Sequence, residues 1–188
     1  MSDVAIAVLN AAERRMRIGG FGGFSHREIA ADVGVKSSSV HYYFPTKDKL
    51  AAAVIRRYAD HLSELIDRES ETEQDPIKAW TRAFRATAYA GERICPCAVL
   101  SAAALDLPPE VGAEVKRFYT MCLSKLTVAG ISETAAAELL STLTGAMVVA
   151  NGLNDVAVFE RATRELLGGT PNEAMPDNAA LPQGDRAA

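Results

Sequence analysis

Two short helical segments separated by a glycine constrain this sequence most. Residues 25–33 (SHREIAADV) predict one helix, with Ser25 as N-cap and Glu28 three residues later, as in a capping box. Gly34 stops that helix. Residues 36–44 (KSSSVHYYF) predict the next helix, and Pro45 closes it. Two helices of this length around a glycine have the dimensions of a helix-turn-helix.

The second of these helices has an unusual composition that suits a DNA groove. Its serines are poor helix formers, but they are small and carry hydroxyl donors and acceptors, so the backbone can come close to phosphates and base edges. Val40 and Phe44, four residues apart, supply the face that packs inward. Lys47 follows at the start of the next helix, where its charge adds to the positive end of the helix dipole. We expect DNA contacts from Ser37, Ser38, Ser39, His41, Tyr42, Tyr43 and Lys47.

Other basic and polar residues nearby allow two interpretations. Ser25, His26 and Arg27 open the first helix of the pair, where they either contact phosphate or form a solvated face. Tyr43 could equally belong to the core. Three arginines in the preceding helix are interpreted as a solvated face or as a source of long-range steering: Arg14, Arg15 and Arg17.

Helical periodicity continues along the rest of the chain, and no segment has the pattern of a convincing strand. The sequence therefore predicts an all-α fold of about nine helices. Their expected ranges are 3–18, 25–33, 36–44, 46–69, 76–93, 94–105, 110–128, 132–151 and 155–167. Residues 170–188 lack periodicity and are rich in Pro, Asn, Asp and Gly, which predicts a disordered tail.

Composition and charge narrow the class of protein. Apolar residues make up 48% of the 188 residues, enough for a substantial core. Residues 1–58 carry nine lysines and arginines against five acidic residues, whereas residues 59–188 carry eleven against nineteen. A basic N-terminal part on an acidic remainder suggests that the N-terminal part meets a polyanion, although chance clustering gives the same count.

No targeting or membrane signal is apparent. No apolar run reaches the roughly 18 residues of a membrane span, and no signal peptide is recognisable at the N-terminus. The three cysteines, an odd number, do not form a disulfide framework. We therefore expect a cytoplasmic protein that does not bind membranes.

The segment GGFSHREIAADVGVKSSSVHYYFPTKDKL resembles the TetR family of bacterial transcriptional regulators. The matching positions are Ile29, Ala30, Gly34, Val35, Ser39, Val40, Tyr43, Phe44, Thr46, Lys47 and Leu50. The resemblance implies a helix-turn-helix domain in residues 1–50, a connector helix in about residues 46–69, and a ligand-binding and dimerisation domain in residues 51–169. It also implies a repressor that binds a palindromic double-stranded DNA operator as a homodimer and is released by a small-molecule effector.

Two positions depart from the family pattern. Lys36 stands where many members have a serine that caps the recognition helix, so the cap could shift to Ser37 and a phosphate contact could become ionic. Ser38 replaces a common glycine or alanine, which would alter base contacts. The operator sequence therefore cannot be transferred from the family.

The resemblance also implies an effector pocket in the C-terminal domain. Candidate lining residues are Trp80, Phe84, Tyr89, Cys95, Cys97, Phe118, Tyr119, Met121 and Cys122. For each aromatic residue taken singly, a place in the core is the simpler interpretation.

The cysteines of the segment CPCAVLSAAALDLPPEVGAEVKRFY raise an alternative. The segment is also similar to a subgroup of the family with a Cys-rich helix followed by LP-x-x-V. Thiols of Cys95 and Cys97 near Arg93 and a helix N-terminus would have a lowered pKa, and they could sense oxidants or electrophiles. The simpler interpretation is two small buried residues. The C-x-C spacing and the positions of the histidines argue against a zinc site.

The last two helices carry apolar stripes that predict a dimer interface or, alternatively, a core within one chain. Paired with a second copy they would build a four-helix bundle. The two stripes are Leu139, Leu143, Ala146, Met147 and Ala150, and Val156, Phe159, Ala162, Thr163 and Leu166.

Other classes of function find less support. The sequence contains no nucleophile elbow, phosphate-binding glycine loop or H-E-x-x-H pattern, so we expect neither catalysis nor a cofactor or metal. The main rival is a helical binding or scaffold protein whose N-terminal unit contacts another protein.

Overall fold

The computed structural model describes residues 2–88 and 94–168, and these residues form α-helices and short 3-10 turns without a β-strand. The nine helices in this part of the chain are α1 (Asp3–Gly19), α2 (His26–Val33), α3 (Ser37–Tyr43), α4 (Lys47–Thr72), α5 (Pro76–Thr87), α6 (Pro96–Ser101), α7 (Pro109–Val128), α8 (Glu133–Gly152) and α9 (Ala157–Thr163). The prediction of an all-α fold is confirmed.

Most helices begin at the residues that their sequence signals predict. The side chains of Ser25, Thr46 and Ser132 each accept a hydrogen bond from a backbone N–H in the first turn of the helix that follows. Gly34 ends α2 in the left-handed conformation, with φ of 75°. The sixth helix is shorter than predicted, because it ends at Ser101 and a 3-10 turn follows.

The first three helices pack against the beginning of α4. Their contacting side chains are fully buried and apolar, as the amphipathic pattern of each helix requires. The core of this N-terminal unit contains Val8, Leu9, Met16, Ile29, Val40 and Leu50. Since α3 is only seven residues long and rich in serine, this packing must hold it in helical form.

Helix α4 connects the N-terminal unit to the rest of the chain. Its 26 residues make it about 39 Å long at 1.5 Å per residue. The beginning of α4 packs on α1, and its further length packs on α5 and α7. One continuous apolar core extends from α1 to α9, so a displacement of α4 in the C-terminal part would reach the N-terminal unit directly.

The apolar stripe predicted on α8 lies inside the chain. Leu143 and Met147 are fully buried, and Leu139, Ala146 and Ala150 are each at most 7% exposed. The interpretation of these five residues as the dimer surface is therefore wrong, because α8 packs on α9, α7 and α5 of the same chain. The exposed residues of α8 are instead Glu133, Thr134, Ala137, Glu138, Ser141, Thr142, Gly145, Val148, Val149, Asn151 and Gly152.

Some predictions concern residues outside the described part of the chain. They are the pocket residue Tyr89, the basic neighbour Arg93 and the disordered tail at residues 170–188.

Within the described residues, no helix combines the length and the apolar character that crossing a membrane demands.

Candidate nucleic-acid interface

The first helix of the predicted helix-turn-helix, α2, is fixed at its start by a local hydrogen-bond network. The Ser25 hydroxyl accepts from the backbone N–H of Glu28 at 3.3 Å and donates to its Oε2 at 2.7 Å. The hydrogen bond from Ser25 and the nearby charge of Arg15 lower the pKa of the Glu28 carboxyl below its ordinary value. Ser25 therefore serves as the predicted cap, and its hydroxyl is engaged within the protein.

Helix α3 separates an inward face from an exposed face. Val40 is fully buried, and Phe44 packs half-buried against the core, as predicted. Tyr42 is 80% exposed, and Ser38 and His41 are also exposed. The Tyr43 ring is half-buried and lies edge-on against Tyr42, with 5.1 Å between ring centroids. A helix with this division presents hydroxyls, an imidazole and a phenol to the outside.

The serines on either side of Ser38 are less accessible, since Ser37 and Ser39 are half-buried. The cap of α3 does not shift to Ser37. Lys36 itself occupies the N-cap position, without a side-chain hydrogen bond to the first turn. Its exposed ammonium group is consequently available beside the first backbone N–H groups of α3.

His26 differs from its sequence-based interpretation as a phosphate contact or solvated residue. It is 8% exposed, and its Nε2 donates to the backbone carbonyl of Phe44 at 2.7 Å. Its ring stacks on that of His41, with centroids 4.2 Å apart and planes 2° from parallel. His41 Nδ1 lies 3.3 Å from the carbonyl oxygen of Pro45. The solvated interpretation of His26 is therefore wrong, because the ring holds the end of α3 against α2.

Arg27 is exposed on the first turn of α2, where its guanidinium faces solvent. This position is compatible with both interpretations of Arg27, a phosphate contact or a solvated residue.

Lys47 is the first residue of α4 and directly follows the N-cap residue Thr46. Thr46 Oγ1 accepts from the backbone N–H of Lys49 at 3.1 Å. The Lys47 side chain is half-buried, and its Nζ lies 4.5 Å from the ring centroid of Phe21 and 4.9 Å from that of Phe24. The ammonium group therefore makes a cation–π contact with the two rings, and the residue that carries it is the first of a helix.

The role of Phe21 and Phe24 was missed at the sequence level. The segment FGGF favours a flexible turn, but it forms a 3-10 turn at Phe21–Gly23. Positive φ occurs at the preceding Gly20 rather than inside the segment. Two phenylalanines around a Gly-Gly pair, in a protein with few aromatic residues, were the available signal.

The three arginines of α1 do not form one solvated face. Arg15 makes ion pairs with Asp32 at 2.6 Å and Glu28 at 3.1 Å, which fasten α1 to α2. Arg17 is 8% exposed, pairs with Glu13 at 2.6 Å and donates to the backbone carbonyl of Ile94. The solvated interpretation is therefore wrong for Arg17.

The candidate effector residues lie mostly in the core of the C-terminal part. Trp80, Phe84 and Phe118 are at most 1% exposed, and their rings contact one another or neighbouring aromatic rings. Tyr119 and Met121 are half-buried at the edge of this core. The Tyr119 hydroxyl lies 3.2 Å from Ser101 Oγ, which brings a polar pair next to the aromatic group.

The three cysteines are reduced and buried, but their environments differ. Burial would raise the pKa of the Cys95 thiol, but hydrogen bonds from Cys97, Tyr58 and nearby backbone N–H groups outweigh it and lower the pKa. Burial raises the pKa of Cys97 and of Cys122. Two cationic side chains act against these rises in pKa. Arg17, whose guanidinium lies 5.2 Å from the Tyr58 ring centroid, acts on Cys97, and Lys125 acts on Cys122.

The described residues bring together no group of three or more His, Cys, Asp or Glu side chains suited to a metal ion.

Comparisons with known proteins agree with this geometry. The family model for bacterial regulatory proteins of the tetR family matches residues 8–54. A search of curated proteins found no match to the chain.

Solved structures extend the likeness to the whole described fold. A TetR-family transcriptional regulator from Agrobacterium tumefaciens is 24% identical, with a TM-score of 0.80 over 88% of this chain and 96% of that chain. A transcriptional regulator from Rhodococcus sp. Rha1 is 25% identical, with a TM-score of 0.68 over 87% and 94% of the two chains. The reduced form of Escherichia coli NemR is 20% identical, with a TM-score of 0.72 over 88% and 96%.

The family match covers most of the N-terminal unit, and the structural matches cover the remaining helices as well. Residues 8–54 are therefore similar to the tetR family, and the chain as a whole has the fold of these transcriptional regulators.

Proposed function

We propose that this protein is a transcriptional repressor that binds a palindromic operator as a homodimer and leaves it when a small molecule binds the C-terminal domain. The domains divide near residue 50, with α4 passing from one to the other. Such a protein works beside DNA in the cytoplasm and needs neither catalysis nor a cofactor.

The observation that carries the DNA-binding proposal is the exposed face of α3. Ser38, His41 and Tyr42 point outward from a helix whose opposite side is fixed by Val40 and by the His26 contact. Lys36 and Lys47 stand at the N-termini of α3 and α4, where backbone N–H groups add to their attraction for phosphate. We propose that α3 enters the major groove while these two lysines meet the backbone.

Residues at the edge of this surface have smaller roles. Arg27 is an exposed candidate for phosphate contact, and Tyr43 contributes through the edge that its half-buried ring leaves open. Ser37 and Ser39 are candidates through their backbone and hydroxyl groups, and Ser25, whose hydroxyl is engaged by Glu28, is a candidate through its backbone. His26 acts by holding His41 rather than by meeting DNA itself.

The dimer proposal rests on the exposed face of α8. Between Ala137 and Gly152 the exposed residues of α8 are mostly small or apolar, with one carboxylate, Glu138, and one amide, Asn151. Val148 and Val149 are 45% and 51% exposed, although both are apolar. Small residues allow two helices to come close, so we propose that α8 and α9 of two copies form the four-helix bundle of the dimer.

We propose that the effector binds among α4, α5, α6 and α7, near the aromatic side chains and the Ser101–Tyr119 pair. An effector there would have to displace or reorder buried rings, because Trp80 and Phe118 are closely packed. Since α4 shares this core and begins beside α3, the rearrangement would change the relative position of the two DNA-binding domains.

A second candidate concerns the nature of the release signal. Hydrogen bonding that lowers the pKa of Cys95 favours the thiolate, which is the reactive form of cysteine toward electrophiles and oxidants. Its full burial favours a structural role instead. In this second candidate function, the C-terminal domain responds to covalent modification of Cys95 rather than to reversible binding of a small molecule.

The DNA-binding proposal is tested by selecting bound duplexes from genomic fragments and measuring affinity for the recovered sequence at several salt concentrations. Replacing Lys36 with Ala should weaken binding and reduce the slope of log affinity against log salt by about 0.9, the value for one phosphate. Tyr42→Ala should weaken binding by at least tenfold without a change in slope. Arg68→Ala, at an exposed arginine near the C-terminal end of α4, is the matched charge control and should change neither quantity.

Failure to recover a specific duplex at low salt would contradict the main proposal and favour the protein-binding scaffold. Equal effects of Lys36→Ala and Arg68→Ala would contradict the placement of the DNA-binding surface.

A further inference from the structure

The ammonium group of Lys47 is in an environment that a lysine at a helix start does not ordinarily have. It lies over the faces of two aromatic rings, 4.5 Å from the centroid of Phe21 and 4.9 Å from that of Phe24. The positive end of the α4 dipole disfavours a cation at this position, because backbone N–H groups point toward it. Without a compensating contact, the flexible side chain would extend into solvent.

The two rings form a rigid support. Phe24 is 2% exposed, and Phe21 meets it edge-on with centroids 6.4 Å apart and planes at 79°. The turn that carries them is pressed against α1. A Cβ added at Gly23 would lie 3.0 Å from the carbonyl oxygen of Arg15. The rings therefore have little freedom to move away from Lys47.

We propose that Phe21 and Phe24 are positioning residues for DNA binding, which hold the Lys47 ammonium in place to meet a backbone phosphate. This inference depends on the DNA-binding function proposed above. Ring faces attract the cation through their quadrupole but offer it no hydrogen-bond acceptor. The N–H groups of Lys47 thus keep their capacity to donate to phosphate, and less side-chain freedom is lost when DNA binds.

The test compares variants of Phe21, because Phe24 is deeper in the core and its replacement would disturb folding. Phe21→Leu keeps an apolar side chain but removes the ring face, and Phe21→Tyr keeps the face. Both are made with Lys47 present and with Lys47→Ala. Affinity is measured for the fluorescein-labelled duplex recovered by the selection experiment, and thermal unfolding is measured for every variant.

We expect Phe21→Leu to weaken binding about three- to tenfold when Lys47 is present, the range that a partly exposed cation–π contact gives. The same change should have no effect in the Lys47→Ala background, and Phe21→Tyr should bind like the original protein. In the absence of DNA, the ring-current shifts of the Lys47 ε-methylene protons in NMR spectra should decrease in Phe21→Leu and retain only the part that is due to Phe24.

Three results would overturn the inference while leaving the proposed function intact. Equal losses in both Lys47 backgrounds would mean that Phe21 supports the fold only. Stronger binding by Phe21→Leu would mean that the rings withhold the ammonium from DNA. Undiminished DNA binding by Lys47→Ala would contradict the proposed contact between Lys47 and a backbone phosphate. A protein that binds no specific duplex in any form would instead contradict the proposed function, and the inference with it.

Discussion

A histidine near the start of an amphipathic helix is ordinarily solvated, and the environment of His26 shows how tertiary contacts change such an expectation. Its ring is buried, donates to the Phe44 carbonyl and stacks on His41. Arg17 is a second case, because a buried guanidinium joins Glu13 to a carbonyl 77 residues away. At the scale of single residues, burial and partners decide what a polar side chain does.

Cys95 gives a prediction at this scale. Because its pKa is lowered while burial raises that of Cys122, the ultraviolet absorbance of thiolate should appear below the ordinary titration range of a thiol. Cys95→Ser should remove this step, and Cys122→Ser should retain it. A step that persists in Cys95→Ser would show that another group carries the low pKa and would weaken the sensing alternative.

At the scale of helices, α4 is joined to its neighbours by ion pairs as well as by apolar packing. Arg56 of α4 donates to Glu114 of α7, and Arg117 donates to the same carboxylate at 2.7 Å. Burial would raise the pKa of Glu114, but these hydrogen bonds outweigh it and lower the pKa. A group whose pKa is lower in the folded state stabilises the fold only while it remains ionised.

The sign of this linkage predicts how stability depends on pH. The contribution of Glu114 is fully present above the pKa of an unfolded glutamate, about 4.3, and is lost as the pH falls through its folded pKa. Glu114→Gln should therefore be less stable than the original protein at pH 7, and the difference should shrink at acid pH. Urea unfolding at a series of pH values measures this difference in the free energy of unfolding.

Glu71→Gln, at an exposed position of α4, is the control for that experiment. It should follow the pH dependence of the original protein. If Glu114→Gln and Glu71→Gln lose stability in parallel with falling pH, the carboxylate of Glu114 does not contribute as described.

At the scale of the whole molecule, the proposed dimer forms through the exposed face of α8. Gly145 lies on this face, and a Cβ atom added there would meet nothing within 4 Å in one chain. A large residue at Gly145 should therefore leave the single chain folded but obstruct a second copy. Gly112 on α7 has equally open surroundings and gives a matched control.

We expect Gly145→Trp to weaken the dimer by at least tenfold in sedimentation measurements, because a bulky ring cannot fit where two helices come close. Operator affinity should fall with it, since a palindromic site requires two linked recognition helices. Gly112→Trp should remain a dimer. An unchanged dimer in Gly145→Trp would place the interface on another surface.

The sequence determined most of the secondary structure. Apolar periodicity set the helices, the side-chain oxygens of Ser25, Thr46 and Ser132 set helix starts, and Gly34 set the turn before α3. It also predicted that Val40 and Phe44 pack inward, because small hydroxyls beside these two apolar residues form a local pattern. These features depend on residues within a few positions of one another, so a sequence displays them directly.

Tertiary structure decided the contacts between distant segments. It placed the predicted stripe of α8 inside one chain, surrounded Lys47 with the rings of Phe21 and Phe24, and buried Arg17 against the carbonyl of Ile94. An amphipathic pattern shows that a helix has an apolar face, but the helix that covers this face depends on how all the others pack. The partners of a buried cation or imidazole depend on the same packing, and for that reason only the folded chain identifies them.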